Sequence, residues 1–187
     1  QQAQLYVAYS LYKEDDQEAA ILAAKRFIRL HPNHPSVDYA YYIKGLSRFN
    51  DEKGIAGYVM KHWIDQNMSE RDPEASNESF QSFKELITRF PDSQYRSDSI
   101  KRMNYLFNTV GMGEIYVARY YLSRGAYVAA INRAQWTLNQ FPQTPATQHA
   151  LEIMVEAYDE LGMDDLRDDA KRVMQKSFSE TQESRYC

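Results

Sequence analysis

Two histidines, His31 and His34, are the residues whose type and spacing most suggest metal chemistry. They are separated by two residues, a spacing that metal sites sometimes use, and they lie in a His-Pro-Asn-His-Pro string. Zinc normally takes four nitrogen or sulfur ligands, however, and the single cysteine of the chain is the last residue, Cys187. The prolines also suit a turn between two helices. We therefore predict a turn here and no metal site.

Four aspartates, Asp164, Asp165, Asp168 and Asp169, surround Arg167 and form a second candidate for cation binding. Calcium loops need alternating oxygen ligands, a glycine hinge and a late glutamate that binds through both oxygens, and this segment lacks that pattern. Acidic residues instead suit the positive N-terminal end of a helix. The cluster therefore predicts a solvated helix start.

The sequence lacks the motifs that carry phosphate binding and nucleophilic catalysis. Gly111-Met112-Gly113 has no third glycine and no strand pattern before it, so it does not match a phosphate-binding loop. No Gly-x-Ser-x-Gly string is present, and no spacing of serine, histidine and aspartate stands out. We predict that the protein is not an enzyme and has no cofactor and no catalytic residue.

Tyrosine, with 15 copies, is the most unusual count in the composition. Tyr6, Tyr9 and Tyr12 recur every three residues, and Tyr39 and Tyr42 share that spacing. Tyrosines commonly fill contacts between helices while their hydroxyls bind water or a carbonyl oxygen. They are also enriched at binding hot spots, because a ring with a hydroxyl suits an extended polypeptide. Most are expected to fill helix contacts, and Tyr39 and Tyr42 are the candidates for peptide binding.

The overall composition indicates a folded protein with few turns. Hydrophobic residues make up 43% of the chain, too many for a disordered protein, and the 7 Gly and 6 Pro favour long helices over short strands. The net charge of −4 and the absence of long basic runs argue against a nucleic-acid partner, which needs basic residues to neutralise phosphates. No stretch has the roughly 18 apolar residues that span a bilayer.

Three prolines, Pro32, Pro91 and Pro142, end the same sequence pattern. A small residue stands twelve positions before each proline, and apolar residues at eleven, eight and four positions before it share one stripe of a helix. Proline then ends the helix, because it has no amide hydrogen and restricts the residue before it. The small residue lets a neighbouring helix approach closely. These small residues are Ala20, Ser79 and Ala130, and the stripes are Ile21, Ala24 and Ile28, then Phe80, Phe83 and Ile87, then Ile131, Ala134 and Leu138.

A second helix is predicted to follow each proline after a short turn, with Ser36, Asp92 or Thr144 as its N-terminal cap. A pair of helices is typical of a tetratricopeptide repeat when a proline ends the first helix and a small residue lies where the helices pack together. The prolines lie farther apart than the roughly 34 residues of the consensus repeat, so longer hairpins with an insertion are expected. Each hairpin must bury its apolar face on the next one. The sequence therefore predicts an all-α fold of tetratricopeptide-like helical hairpins that form an α-solenoid.

The chain is predicted to be a single repeat array over residues 1–187. Residues 1–50 hold the N-terminal repeats, 51–71 a long connection with at most one short helix, and 72–187 the C-terminal repeats. Gly111 and Gly113 predict a kink or break inside one long helix, since each glycine costs about 1 kcal/mol relative to alanine. The predicted helices lie near 1–13, 16–30, 36–49, 73–89, 94–122, 126–140, 145–161 and 164–178.

Four strings of the sequence resemble the BamD family of lipoproteins, which belongs to the β-barrel assembly machinery of Gram-negative outer membranes. They are residues 26–35 (Arg-Phe-Ile-Arg-Leu-His-Pro-Asn-His-Pro), 70–73 (Glu-Arg-Asp-Pro), 90–95 (Phe-Pro-Asp-Ser-Gln-Tyr) and 117–133. The resemblance spans essentially the whole chain. It implies a non-enzymatic periplasmic scaffold of tetratricopeptide-like repeats, held at the outer membrane by a lipid on its N-terminus.

The resemblance also implies partners. In the family, the C-terminal half docks on a POTRA domain of BamA and supports BamE, while the N-terminal half contacts BamC and unfolded outer-membrane proteins. The resemblance implies that Arg124, Asn132 and Arg133 contact the docking partner. A guanidinium at Arg133 can bind a partner carboxylate through two parallel hydrogen bonds, which lysine would not reproduce. The expected location is the periplasmic face of the outer membrane.

Other interpretations stay open at this point. Arg133 can be an ordinary solvated arginine, and the chain can be a repeat adaptor for another cell-envelope or cytoplasmic protein, or a hydrolase that uses its histidines. The chain opens directly in helical pattern, which predicts a fragment without the lipidated cysteine and first repeat of the family. Membrane contact is then expected only through an N-terminal lipid that this chain lacks, and any peptide-binding groove is expected to be incomplete.

Overall fold

The computed structural model describes residues 1–49 and 73–183, which form α-helices joined by short turns. The chain divides into two compact units, Gln1–Leu106 and Phe107–Cys187. The prediction of an all-α protein is therefore confirmed for the residues that the structure describes. The predicted connection at 51–71 lies outside them.

Eight helices make up the described part of the chain. Most of their ends agree with the predicted ones to within a few residues, and the last helix continues beyond its predicted end at 178. The helices are α1 (Gln2–Lys13), α2 (Gln17–Leu30), α3 (Val37–Arg48), α4 (Pro73–Arg89), α5 (Arg96–Ser123), α6 (Tyr127–Gln140), α7 (Pro145–Glu160) and α8 (Asp164–Glu183).

The start of α5 differs from the prediction, which placed its cap at Asp92. Asp92 lies in an exposed turn, and the helix begins only at Arg96. The Ser93 amide donates to the Phe90 carbonyl at 3.1 Å, and the Arg96 amide donates to the Ser93 carbonyl at 3.0 Å. These two consecutive turns delay the helix, so Asp92 is too early in the chain to cap it.

Ser36 and Thr144 occupy the N-cap positions of α3 and α7, as predicted. Neither side chain accepts the cap hydrogen bond, and the Thr144 hydroxyl instead donates to the Phe141 carbonyl, 2.8 Å away. A side-chain cap is made before α2, where Asp16 accepts the amide hydrogen of Ala19 at 3.1 Å. Two of the three predicted cap positions are therefore right, although their hydroxyls are used differently.

Helix α5 runs without interruption through Gly111 and Gly113, so of the predicted kink or break the break is wrong. Gly111 is buried, and a Cβ atom there would lie 3.2 Å from the Phe141 side chain and 3.3 Å from Ala146. The missing side chain thus allows α5 to pack closely against the start of α7. Burial of these apolar neighbours offsets the roughly 1 kcal/mol that glycine costs a helix interior.

The small residues of the repeat pattern lie at contacts between helices, as predicted. Ala20, Ser79 and Ala130 are fully buried. Ser79 also donates its hydroxyl to the Gly45 carbonyl at 2.9 Å, which ties α4 to α3. The predicted stripe missed the position five residues before each proline. That position is almost fully buried in all three hairpins, at Phe27, Leu86 and Thr137.

Each unit has its own apolar core. In the first unit α1 packs on α2 and α3, α2 on α3, and α3 on α4. In the second unit α6 packs on α7 and α7 on α8, and residues of α5 add to the same core. The first core contains Leu5, Ala8, Ala24, Phe27, Val37, Ala40, Tyr41, Ile43 and Leu86, and the second contains Ile115, Ala118, Ala130, Ile131, Ala134, Ala150, Ile153, Met154 and Tyr158.

Three buried hydroxyl groups are satisfied within their own helices. Ser47, Ser82 and Thr137 each donate to the carbonyl oxygen four residues earlier, over 2.9, 2.7 and 2.9 Å. A buried hydroxyl without a partner would cost free energy. These bonds therefore allow polar residues to stand at helix contacts in the core.

Candidate functional site

The first candidate site is a groove of about 690 Å³ in the first unit, between α1, the start of α3 and the turn after α4. We call it the tyrosine groove, because Tyr6, Tyr9, Tyr39 and Tyr95 line it. Tyr6 and Tyr9 lie on one face of α1, since they are three residues apart. The other lining residues are Gln2, Leu5, His34, Pro35, Ser36, Asp38 and Gln94.

Three of the tyrosine rings of the groove, those of Tyr9, Tyr39 and Tyr95, lie next to one another. The ring centroids of Tyr9 and Tyr39 are 6.4 Å apart, and those of Tyr39 and Tyr95 are 5.2 Å apart. Burial, with a smaller contribution from Tyr95, raises the pKa of Tyr39 to about 12. The structure thus places one of the two predicted peptide-binding tyrosines, Tyr39, in the lining, with a hydroxyl that stays protonated far above neutral pH.

Tyr42, the other predicted peptide-binding tyrosine, stands behind the lining. Its ring stacks on that of Tyr95 at 4.6 Å, and its hydroxyl donates to Asp98 at 2.6 Å. Arg102 donates to the same carboxylate oxygen at 2.5 Å, and its guanidinium lies 4.6 Å from the centre of the Phe49 ring. Tyr42 therefore supports Tyr95 from behind rather than facing the groove.

The contacts of Asp98 stabilise its charge. Burial alone would raise the pKa of Asp98, but the hydrogen bonds from Tyr42 and then Arg102 outweigh burial and lower it. Burial, followed by the bond to Asp98, raises the pKa of Tyr42 to about 12. At neutral pH the charged Asp98 carboxylate therefore accepts a hydrogen bond from the neutral Tyr42 hydroxyl, and this bond fixes the Tyr42 ring in place.

Asp38 gives the groove its carboxylate. The Ser93 hydroxyl donates to one oxygen at 2.7 Å, and the Tyr39 amide donates to the other at 2.8 Å. These bonds orient the side chain and leave acceptor capacity on both oxygens. A positive group, Lys13, lies 5.6 Å from the centre of the Tyr9 ring. The lining thus has a negative group at α3, while Lys13 of α1 lies beside the Tyr9 ring and is not among the lining residues.

The histidines that were considered as metal ligands make other contacts. His31 Nε2 lies 2.8 Å from the side-chain oxygen of Gln4, and His34 Nδ1 accepts the amide hydrogen of Ser36 at 3.1 Å. Both imidazole rings also lie 5.2 Å from the Phe27 ring, centre to centre. Over residues 1–49 and 73–183, no three histidine, cysteine or acidic side chains are grouped as a metal ion would require.

Arg167 pairs with two of the four aspartates at the start of α8 and with Asp159 at the end of α7. It binds Asp164 at 2.6 Å, Asp159 at 2.8 Å and Asp168 at 2.9 Å. Hydrogen bonds to Asp168 and Asp159 raise the pKa of Arg167 above its ordinary value. The cluster is thus an ion-pair network that joins the end of α7 to the start of α8. In the part of the chain that the structure describes, no helix combines the length and apolar character needed to cross a bilayer.

The second candidate site lies on α6 in the second unit. Arg133 donates to Glu114 of α5 at 2.9 Å, and its guanidinium lies 6.0 Å from the Trp136 ring. The Arg133 side chain is 38% exposed, so it is partly engaged within the chain and partly open to solvent. Asn132 is exposed beside it. Two of the three predicted docking residues are therefore accessible neighbours on α6.

Arg124, the third predicted docking residue, lies in the turn before α6. It is exposed, and its guanidinium lies 5.4 Å from the centre of the Tyr120 ring. Tyr120 is itself 56% exposed. Arg124 and Tyr120 thus form a solvent-facing cation–π pair at the end of α5.

Sequence reasoning missed two large apolar side chains on the same surface as Asn132. Val128 is 60% exposed and Trp136 is 43% exposed. Val128, Asn132 and Trp136 are spaced four residues apart, which puts all three on one face of α6. The four-residue spacing of Val128, Asn132 and Trp136 can be read from the sequence. The prediction was based instead on the apolar stripe of Ile131, Ala134 and Leu138, which predicts the buried side of the same helix. We call Val128, Asn132, Arg133 and Trp136 the α6 face.

The sequence is similar to known proteins over almost its whole length. Residues 1–173 match the family model YfiO, described as outer membrane lipoprotein. An outer membrane protein assembly factor BamD from Neisseria meningitidis serogroup A is 42% identical over 177 residues, which cover 95% of this chain and 65% of that relative. A protein of the same name from Vibrio cholerae is 35% identical over 175 residues, which cover 94% of this chain and 71% of the relative. The chain thus spans slightly less than two thirds of the Neisseria protein.

Proposed function

Because the chain belongs to the YfiO family of outer membrane lipoproteins, we propose that it acts in outer-membrane protein assembly. The name that its relatives carry, outer membrane protein assembly factor, supports this role. The proposed role is that of a scaffold without catalysis, which binds other polypeptides on its helical hairpins. Its proposed place is the periplasmic face of the outer membrane.

The observation that carries this proposal is the α6 face. A large aromatic ring beside an arginine is a combination that often dominates the binding energy between proteins. Val128 and Trp136 lie outside the buried core cluster of the second unit, although both are strongly apolar in character. Association with a partner would remove their surface from water, which supplies a driving force for docking.

The proposed partner of the α6 face is a POTRA domain of a BamA-type protein, with a BamE-type lipoprotein supported nearby. Arg133 keeps donor capacity beyond its bond to Glu114, because a guanidinium has five N–H groups. A partner carboxylate can therefore share the guanidinium or replace Glu114. Arg124 and Asn132 would add polar contacts around this centre.

The tyrosine groove is the proposed contact for an extended polypeptide, from a BamC-type lipoprotein or an unfolded outer-membrane protein. Tyr39 lines the groove, and Tyr42 acts through Tyr95 by fixing its ring. Tyrosine provides a large contact area with few rotatable bonds, so little side-chain entropy is lost on binding. The groove and the α6 face lie in different units, which suits a scaffold with more than one partner.

Charge reversal at Arg133 tests the docking proposal. Arg133→Glu removes the donor and places a second carboxylate beside Glu114, so binding to the purified POTRA region of a BamA-type protein should weaken about tenfold or more. Calorimetric titration measures the affinity, and circular dichroism should show unchanged helicity. Arg26→Glu is the matched control, because Arg26 is an exposed arginine of the first unit. It should bind as the unsubstituted chain does.

A second substitution separates lost docking from local repulsion between carboxylates. Arg133→Gln also removes the guanidinium but adds no charge beside Glu114, so it should weaken binding in the same direction. Equal affinity of all variants would remove Arg133 from the interface. Failure of the unsubstituted chain to bind would contradict a POTRA partner and would favour a repeat adaptor for another protein.

A further inference from the structure

The walls of the tyrosine groove restrict the conformation of a bound polypeptide. Three common conformations of a bound peptide segment are an added β-strand, an amphipathic helix and a polyproline-II segment, and each needs a different surface. An added strand needs a sheet edge with free backbone groups. The groove is walled by α1 and α3, whose backbone groups bond largely within their own helices, so they offer no such edge.

An amphipathic helix would need a broad aliphatic or methionine-rich trough. The aliphatic side chains in the lining are Leu5, which is only 7% exposed, and the exposed ring of Pro35, which is too small an area to form such a trough. Most of the exposed lining is aromatic and polar, from tyrosine, glutamine, serine, histidine and aspartate side chains. The lining therefore disfavours a helical ligand as well as a strand.

We propose that the tyrosine groove binds a polyproline-II segment, a proline-containing stretch of polypeptide with a basic side chain directed at Asp38. This proposal rests on the proposed function and deepens it, because it names the conformation and the side chains that the groove takes.

The tyrosines provide the apolar surfaces that a polyproline-II segment uses. Tyr9, Tyr39 and Tyr95 follow one another at centroid distances of 6.4 and 5.2 Å, and Tyr6 of α1 also lines the groove. Aromatic rows of this kind receive proline rings, and a polyproline-II segment is already ordered before it binds. Tyr6 is 63% exposed and Tyr9 is 37% exposed, so both rings are open to a ligand.

Polar groups in the lining complement the backbone of such a segment. A polyproline-II helix has no internal hydrogen bonds, so its carbonyl oxygens are free acceptors. The tyrosine hydroxyls and the side-chain amides of Gln2 and Gln94 are donors in the lining. The groove thus offers apolar contacts and hydrogen-bond donors along the same row.

The charge of Asp38 gives a basic side chain of the ligand a preferred place in the groove. Asp38 has acceptor capacity left after its bonds to Ser93 and the Tyr39 amide, so an arginine or lysine of the ligand can bind it. Lys13, beside the Tyr9 ring, would disfavour a positive side chain of the ligand at Tyr9. A basic residue at the Asp38 end is therefore favoured.

Peptide binding to the full 187-residue chain tests the proposal. The probe is a fluorescein-labelled decapeptide with one arginine followed by a proline-rich stretch, measured by fluorescence anisotropy. It should bind about tenfold more tightly than a peptide in which serine and glycine replace the prolines, because the flexible peptide must be ordered on binding. Replacing the arginine by glutamate should weaken binding several-fold.

Substitutions in the groove should weaken the same binding. Tyr6→Ala and Tyr9→Ala remove exposed rings, so the fold should be retained, and each should weaken the proline-rich peptide about fivefold or more. Tyr120→Ala, an exposed tyrosine of the second unit, is the matched control and should leave the affinity unchanged. Asp38→Asn should abolish the preference for arginine over glutamate and keep the preference for proline.

Three results would overturn the proposal: equal binding of the proline-rich and serine–glycine peptides, no loss with Tyr6→Ala and Tyr9→Ala, or no peptide binding at all. The POTRA titration with Arg133→Glu is independent of these measurements. Loss of the peptide preference alone would therefore leave the scaffold role standing, whereas failure of POTRA docking would count against the proposed function itself.

Discussion

The burial of Tyr42 and its hydrogen bond to Asp98 are expected to make the stability of the first unit depend on pH. Burial, followed by this bond, raises the pKa of Tyr42 from 10.0 to about 12. The folded protein therefore holds the hydroxyl proton more tightly than the unfolded chain does. The resulting stabilisation is complete below pH 10 and is lost as the pH rises through about 12.

Tyr42→Phe should reduce this loss of stability at high pH. Phenylalanine keeps the stack on Tyr95 but has no hydroxyl to ionise, so the free energy of unfolding should fall less between pH 10 and about 12 than in the unsubstituted chain. Urea unfolding followed by circular dichroism at a series of pH values measures the difference. Tyr120→Phe, at an exposed tyrosine, is the control. If the free energy of unfolding fell as much between pH 10 and about 12 in Tyr42→Phe as in Tyr120→Phe, the proposed role of the Tyr42 hydroxyl would be contradicted.

The sequence identifies candidate side chains such as Tyr42 and Arg133 better than it identifies the residues they bond to. Spacing predicts Tyr39 and Tyr42 as equivalent, yet one lines the groove and the other bonds to Asp98, 56 residues away. Arg133 is likewise paired with Glu114, 19 residues earlier. Such pairs depend on which helix faces pack together, and a local pattern of residue types does not contain that information.

At the scale of helices, the small residue at Ala130 sets how closely α6 is packed. Ala130 is fully buried in the core cluster that also contains Ile115 and Ala118 of α5. Ala20 and Ser79 occupy the same repeat position in the other two hairpins and are fully buried too. The register that the prolines predict is therefore present in all three hairpins.

Ala130→Leu should overpack this contact. The larger side chain has no space at a fully buried position, so the free energy of unfolding should fall by about 1–3 kcal/mol. Thermal unfolding followed by circular dichroism measures the effect as a lower midpoint. Asn139→Leu, on the exposed side of α6, adds leucine without overpacking and should shift stability by no more than about 0.5 kcal/mol. An unchanged midpoint for Ala130→Leu would mean that the register is wrong.

Helices with a strong periodic stripe were predictable, whereas two local details were not. The cap at Asp92 failed because turns around Ser93 delay the start of α5. The break at Gly111 failed because Phe141 and Ala146 fill the space that a side chain would occupy. The two errors have different physical causes. At Gly111 contacts from distant residues override helix propensity, whereas at Asp92 the hydrogen bonds of the local turns set where the helix begins.

At the scale of the whole molecule, each compact unit carries one candidate site. The tyrosine groove is lined entirely by residues of Gln1–Leu106, and the α6 face belongs to Phe107–Cys187. Substitutions that share no contact partner usually have additive effects on free energy. The two surfaces should therefore bind independently.

Independence is testable with two substitutions and two titrations. Tyr9→Ala should weaken the proline-rich peptide and change POTRA affinity by less than about twofold, and Arg133→Glu should do the reverse. The double variant should show both losses at their single-variant size. Measuring both affinities on the same four proteins completes the cycle, and a loss that crosses from one site to the other would show that the sites are coupled.

The hydroxyls of Ser47, Ser82 and Thr137 each take their acceptor from their own helix. At these positions the neighbouring helix needs side chains that pack well against the hydroxyl-bearing residue, but it does not need to provide a hydrogen-bond acceptor. A hairpin can then be exchanged for one from another member of the family without repairing these bonds, provided that the side-chain volumes agree. Recombination between repeats, in nature or in the laboratory, is correspondingly less constrained there than at a bond such as Ser79 to Gly45, which joins two helices.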